Sequence, residues 1–179
     1  QYAGAVGFSD GRILLFPVKS AKGIFAWITC PSVMNKWLDE ARLCNKHNLY
    51  ESISPEIPDP EENKAFCSDE SLFIKRNTDS KIYLEEYEFT ASENDRVKDI
   101  AEKLGDLLHV DRLKNKLVII NDNAFHDFVT MSTEVITRTK INNETGAVQE
   151  GALFTEEYLP SETVMYSMVL FSTTFLPNN

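Results

Sequence analysis

Cysteine and histidine are scarce: the 179-residue chain has three of each. Cys30, Cys44 and Cys67 share no metal-ligand spacing, and His47, His109 and His126 are scattered among them. No zinc or other metal site is therefore expected in this stretch. An odd number of cysteines argues against a disulfide framework and for a reducing, cytoplasmic setting. Long apolar runs are lacking too. The longest, Val164 to Phe171, is interrupted by Ser167 and falls short of the roughly 18 residues that cross a bilayer. It suits a buried strand, and no membrane partner is expected. No basic start leads into an apolar segment, so no secretory leader is expected. The chain opens on Gln1 rather than Met and reads as an excised fragment. Internal repeats and low-complexity tracts are absent.

Positive charge is also short. The net charge is −10, which at first sight argues against a nucleic-acid partner. The acid is concentrated, however. Residues 51–70 hold seven acids and one lysine, and residues 85–106 hold eight acids and three bases, so the remainder of the chain sums to +1. Arg12, Lys19 and Lys22 stand against Asp10 alone in the first 23 residues, leaving room for a local basic groove. With 42% hydrophobic residues the chain can bury a sizeable core, and its length suits one domain.

What is present organises as follows. Residues 11–18 and 24–30 read as buried strands, with Pro17 ending the first or placing it at an edge. Pro31 suits a helix start, and Val33, Trp37, Leu38, Ala41 and Cys44 recur at helical spacing to about residue 47. Residues 51–70, with three prolines and many acids, read as an exposed loop. Ile82, Leu84, Tyr87 and Phe89 suggest one strand with a phase slip. Ser92 or Asn94 caps a second helix whose core face is Val97, Ile100, Ala101, Leu104 and Leu108. A short strand at 117–120 precedes a short helix capped by Asp122 and bearing Phe125, Phe128 and Val129. Glu134 to Ile141, a turn with Gly146 at positive φ, and Ala147 to Tyr158 give the plainest hairpin signal. Residues 163–172 form a last strand. This order is α+β with an antiparallel or mixed sheet, not repeated βαβ units.

Two long motifs resemble a known family. One runs from Gly7 through Phe-Ser-Asp-Gly-Arg-Ile-Leu-Leu-Phe-Pro-Val-Lys-Ser-Ala-Lys-Gly-Ile-Phe-Ala-Trp-Ile-Thr-Cys to Pro31. The other runs from Arg138 through Thr-Lys-Ile-Asn-Asn-Glu-Thr-Gly-Ala-Val-Gln-Glu-Gly-Ala-Leu-Phe-Thr-Glu-Glu-Tyr-Leu to Pro160, with Asn121 to Phe125 before it. Together they resemble the guide-RNA-binding backbone subunit of type III-B (Cmr) CRISPR effector complexes, a RAMP-superfamily family. The second motif alone fits the related type III-A subunit; the first tips the choice to Cmr. The resemblance is weakest across residues 40–80.

The resemblance implies a single RAMP-type domain fragment over residues 1–179. It would have a ferredoxin-like, RRM-related palm, a helical and acidic insertion at 31–115 and a protruding β-hairpin thumb at 134–158. It implies guide (crRNA) and target RNA, further copies of the same subunit and other Cmr subunits as partners. It also implies a metal-dependent endoribonuclease in the intact protein, which cuts target RNA at regular intervals using a divalent metal. The family's catalytic aspartate precedes this fragment, so Asp10 is not assigned the role and the fragment is expected to be inactive, without a cofactor of its own.

On this basis Lys19, Ser20, Lys22 and Gly23 are the candidate RNA contacts, since ammonium, hydroxyl and backbone groups hold phosphates without reading sequence. The bland reading of the same residues is a solvated loop. Arg138 and Lys140 share a face of the hairpin and are further candidates, against the reading of a merely solubilised hairpin. Ile141 or Val148 is the candidate base-displacing wedge. Phe25 and Trp27 share one strand face, which suits core better than base stacking. Glu156 and Glu157 point to opposite faces and form no catalytic dyad, and His126 reads as a surface or structural residue. Two other functions compete: a stand-alone RNA-processing endoribonuclease of the same superfamily, which needs a histidine in a basic loop, and a protein-interaction module with no RNA role.

Overall fold

The computed structural model describes residues 4–44, 48, 51, 53, 56–76 and 79–173. The two apolar runs at the start become β2 (Arg12–Ser20) and β3 (Ile24–Thr29), an antiparallel pair. Alternation along β3 sorts its side chains. Ala26 and Ile28 enter one apolar cluster and Trp27 the other, as successive strand residues must face opposite ways. Pro17 does not end β2. It stands opposite Trp27, whose amide bonds away from β2 to the Lys116 carbonyl at 2.9 Å. The pair exchanges no hydrogen bond, so the missing proline N–H leaves the β2–β3 ladder intact.

Pro31 opens α1 (Pro31–Leu43) at its first turn. Met34, Trp37 and Leu38 are buried, while Cys44 is the exposed cap and not part of the core face. Residues 45–47, expected to continue this helix, lie outside the described residues. Asn94 caps α2 (Asp95–Leu108), accepting from the amides of Arg96 at 2.9 Å and Val97 at 3.2 Å. Val97, Ile100, Ala101 and Leu104 are buried at 0% exposure as their spacing requires, the valine, isoleucine and leucine side chains each contributing roughly 1.5–3 kcal/mol by leaving water. Asn121, not Asp122, caps α3 (Asp122–Met131), its side chain accepting from the Ala124 amide at 2.8 Å. Asp122 sits one position too far along to serve that helix, and turns to Ser32 instead.

Residues 31–115, expected as an insertion, are woven into the main sheet. β4 (Lys64–Cys67), inside the stretch expected as an exposed loop, pairs with both β8 (Leu117–Ile119) and β7 (Tyr87–Glu93). Four residues between prolines and acids carry too little alternation to announce a strand. The expected single strand over 81–90 is a hairpin of β6 (Asp79–Leu84) and β7, turning at Glu85-Glu86. Glu85 adopts φ 48°, a conformation that sequence associates with Gly or Asn. β5 (Ile74–Arg76) pairs with β6.

The last strand, expected over 163–172, divides. β11 (Val164–Tyr166) pairs with β2, and β12 (Val169–Phe171) pairs with β1 (Val6–Phe8) as a separate ribbon. The main sheet runs β11-β2-β3-β8-β4-β7-β6-β5. β3 lies parallel to β8 and β4 parallel to β7; the other pairings are antiparallel. A bridge from Ser20 to Leu84 brings β6 back to β2, so the sheet curls onto itself. Helices α1 and α2 cover one face and α3 the other. The α+β class with a mixed sheet stands.

Candidate nucleic-acid interface

The turn from β2 to β3 (residues 21–23) is built by Gly23. Its φ is 83°, and a Cβ there would meet Leu72 Cδ2 at 2.7 Å, so only glycine fits without displacement. Ile24 follows with φ 74° and is 84% exposed. The Phe25 amide bonds back to the Gly23 carbonyl at 2.9 Å. A positive φ closed by a bond two residues apart is the rare, strained γ-turn, and a β-branched residue is the least suited to hold it.

The four candidate contacts here separate. Lys19 is exposed on β2, with its ammonium 3.7 Å from the Glu85 carboxylate. The two backbones also join there, the Lys19 amide donating to Glu85 Oε1 at 3.0 Å and the Glu85 amide to the Lys19 carbonyl at 2.8 Å. Ser20 is the last residue of β2; it is 8% exposed, and its buried hydroxyl has no hydrogen-bond partner among the described residues. Lys22 is exposed and donates to the Phe73 carbonyl at 3.0 Å. Gly23 is exposed, and its carbonyl receives Lys116 Nζ at 2.7 Å.

Behind the turn, Phe25 and Trp27 meet edge to face at 4.8 Å. Trp27 is 1% exposed and donates from Nε1 to the Glu162 carbonyl at 2.8 Å, so it has no face left for a base. Arg112 lies over both rings, at 5.7 and 5.4 Å, and pairs with Glu162 at 2.5 Å. Sequence reasoning missed Arg112, Lys116 and Glu162. The signal for Lys116 is the parallel pairing of β3 with β8, which no local pattern reveals.

The second group of candidates lies on a hairpin, β9 (Glu134–Ile141) with β10 (Val148–Tyr158). Every β9 residue is exposed. The register places Arg138 opposite Phe154 and Ile136 opposite Glu156, so one face carries Ile136, Arg138, Lys140 and Phe154 and the other Val135 and Leu153. Arg138 pairs with Glu156 at 2.6 Å and lies over the Tyr158 ring at 5.5 Å. The hydrogen bond to Glu156 raises the Tyr158 hydroxyl above its ordinary pKa. Glu157 turns the other way to Thr133, so no carboxylate dyad forms. Lys140 is exposed and makes no ion pair among the described residues. Ile141 and Val148 are direct cross-strand partners, 57% and 61% exposed. Beyond them the tip is tied by the Asn142 side chain, which accepts from the Glu144 amide at 2.8 Å, and Gly146 has the expected positive φ of 67°.

A groove of about 710 Å³ separates the hairpin root from the sheet, bordered by Lys19, Phe25, Glu85, Tyr87, Glu134 and Ile136. His126 is exposed on α3 and His109 ends α2 in a left-handed conformation, neither in a basic loop; His47 lies outside the described residues. Among the described residues no three His, Cys, Asp or Glu side chains converge to hold a metal ion. No helix among them is long and apolar enough to cross a membrane.

Comparison with known proteins bears on this geometry. Residues 1–179 match the RAMP superfamily. The CRISPR system Cmr endoribonuclease Cmr4 of Pyrococcus furiosus is 36% identical over 176 residues, covering 95% of this chain and 56% of that protein. The chain thus spans little more than half of that relative's length. The crystal structure of oligomeric Cmr4 from Pyrococcus furiosus superposes with a TM-score of 0.70 at 27% identity, over 95% of this chain and 58% of that one. A type III-B Cmr-beta complex bound to cognate target RNA contains a chain that matches with a TM-score of 0.65 at 17% identity, over 98% of this chain and 60% of that one. The last likeness is one of fold.

Proposed function

The chain belongs to the RAMP superfamily, and from that membership we propose that it is the central part of a guide-RNA-binding backbone subunit of a type III-B CRISPR effector complex. The likeness to Cmr4 supports the choice within the superfamily. The succession β2-β3-β8-β4, paired antiparallel, parallel, antiparallel, supports a ferredoxin-like, RRM-related palm. In this reading the β9–β10 hairpin is the thumb, and the Ile141–Val148 pair is the wedge that displaces one base.

The observation that carries the reading is that hairpin. It exposes apolar side chains on both faces, among them Val135 at 65%, Leu153 at 69% and Phe154 at 46%. A soluble protein rarely leaves so much apolar surface open without a partner, and a strand pair apolar on both sides suits insertion between stacked layers. A stand-alone RNA-processing nuclease is less well supported, because His109 and His126 lack a basic setting. Guide and target RNA, further copies of the chain and other complex subunits are the proposed partners, in a cytoplasmic setting. Cutting with a divalent metal is proposed for the whole protein.

The test uses the full-length subunit assembled on guide RNA and given complementary target and divalent metal. Regularly spaced cuts are expected. Replacing Ile141 and Val148 by glycine should leave guide binding in place and blur or abolish the spacing. Unchanged spacing in that variant would remove the hairpin tip from the mechanism, and no binding of guide by the parent protein would end the reading.

A further inference from the structure

The β9–β10 hairpin pairs with no strand of the main sheet, and every side chain of β9 is exposed. Packing along its length therefore does not set its direction. The two places where its arms join the body do. The first arm leaves the end of α3. There the Ser132 amide caps the helix on the Phe128 carbonyl at 2.8 Å, and the Thr133 hydroxyl bonds to Glu157, inside the hairpin rather than to the sheet.

The second arm is tied more closely, and at one residue. Pro160 to Thr163 form a tight turn, closed by the Thr163 amide on the Pro160 carbonyl at 3.2 Å. Glu162 is its third residue, with φ 75°, a conformation that glycine or asparagine ordinarily supplies at that position. The Glu162 carbonyl accepts from Trp27 Nε1 at 2.8 Å, an indole only 1% exposed. Its carboxylate pairs with Arg112 at 2.5 Å. That guanidinium lies over the Phe25 and Trp27 rings at 5.7 and 5.4 Å. Backbone and side chain of one residue are thus both fastened to the aromatics of β3. Two residues on, Val164 is in the main sheet opposite Leu15.

The Arg112–Glu162 pair is half exposed, at 52% and 40%, and pairs so placed add little to stability. A non-glycine residue at positive φ persists only where its surroundings over-determine it, and such residues gather at functional positions. Strain held by an ion pair of small stabilising value suits a role in geometry.

We infer that Arg112 and Glu162 are positioning residues that fix the direction in which the hairpin leaves the sheet. Through that direction they set where along bound RNA the Ile141–Val148 tip acts. The inference rests on the hairpin reading above and adds the residues that aim it.

The experiment is pulsed electron spin resonance on the full-length protein without RNA. Spin labels go on Glu144→Cys at the hairpin tip and Glu102→Cys on α2, both exposed positions. Cys44 and any other reactive cysteine are replaced by serine. The parent should give one narrow tip-to-body distance. Arg112→Gln and Glu162→Asn should each lose that narrow peak and spread the distances, while the thermal midpoint holds, because asparagine suits the positive φ. The double variant should spread them no further, since either change alone removes the same pair. Assembled on guide RNA, the same variants should blur each cut over neighbouring nucleotides. Narrow distances in both single variants would overturn the inference, and so would spreading that comes with a fall in thermal midpoint. Failure of the parent to bind guide would end the RNA reading; the distances, measured without RNA, decide the aiming role separately.

Discussion

Asp122, the first residue of α3, accepts hydrogen bonds from both the backbone amide of Ser32, at 3.0 Å, and its hydroxyl, joining the starts of α1 and α3 across 90 residues of sequence. Burial works to raise the Asp122 carboxyl, but the bonds from Ser32 outweigh it and hold the pKa below the ordinary value. A carboxylate held low in the folded state adds stability that is complete above the unfolded pKa of about 3.9. That stability is lost as pH falls through the folded value. Asp122→Ala should cost about 1.5 kcal/mol at neutral pH, the low end for bonds to a charged group because the site is exposed. Urea titrations of both proteins should converge in strong acid.

The turn at Gly23 and Ile24 predicts substitutions of opposite sign. Gly23→Ala places a Cβ against buried Leu72 at a positive φ, and should destabilise by about 1–3 kcal/mol. Ile24→Asn relieves a β-branched side chain at φ 74° that is 84% exposed, and should stabilise by about 0.5–1 kcal/mol. Denaturant midpoints at constant m-value decide both.

The hairpin and the sheet should respond unequally to truncation. Val135→Ala, on a side chain 65% exposed, is expected within about 0.5 kcal/mol of the parent. Ile82→Ala, at 0% exposure, should cost about 2–5 kcal/mol. Equal costs in chemical denaturation would mean that the hairpin packs against the body.

Thiol chemistry should pick out one of the three cysteines. Burial pushes the thiols of Cys30 and Cys67 up to about 12, while Cys44 is exposed. Since the thiolate is the reactive form, iodoacetamide at pH 8 should label Cys44 in the folded protein and all three after unfolding, as peptide mass mapping would show. Labelling of Cys30 or Cys67 under native conditions would contradict the described packing.

The elements with strong local signals were legible in the sequence. Pro31, the periodicity of α2 with its Asn94 cap, and the turn at Gly146 each act over a few residues, and each sits as its pattern implies. What was missed depends on partners far along the chain. Lys64 to Cys67 becomes a strand only because β7 and β8 flank it. Pro17 is tolerated inside β2 because its neighbour's amide faces the other way. Among the RNA candidates, residue type identified the basic turn but could not reveal that Glu85 answers Lys19, that Ser20 is buried, or that Lys116 arrives from the start of β8. Those facts follow from strand order, which composition does not carry.

Trp27's indole N–H bonds to a carbonyl 135 residues later in the chain. Synthesis proceeds at about 5–20 residues per second, so that donor waits roughly 7 to 27 seconds for Glu162 to be made. The β11 edge of β2 waits still longer, since Val164 is its partner there. During that interval the β2 edge and the Trp27 indole N–H lack the partners that the finished chain supplies.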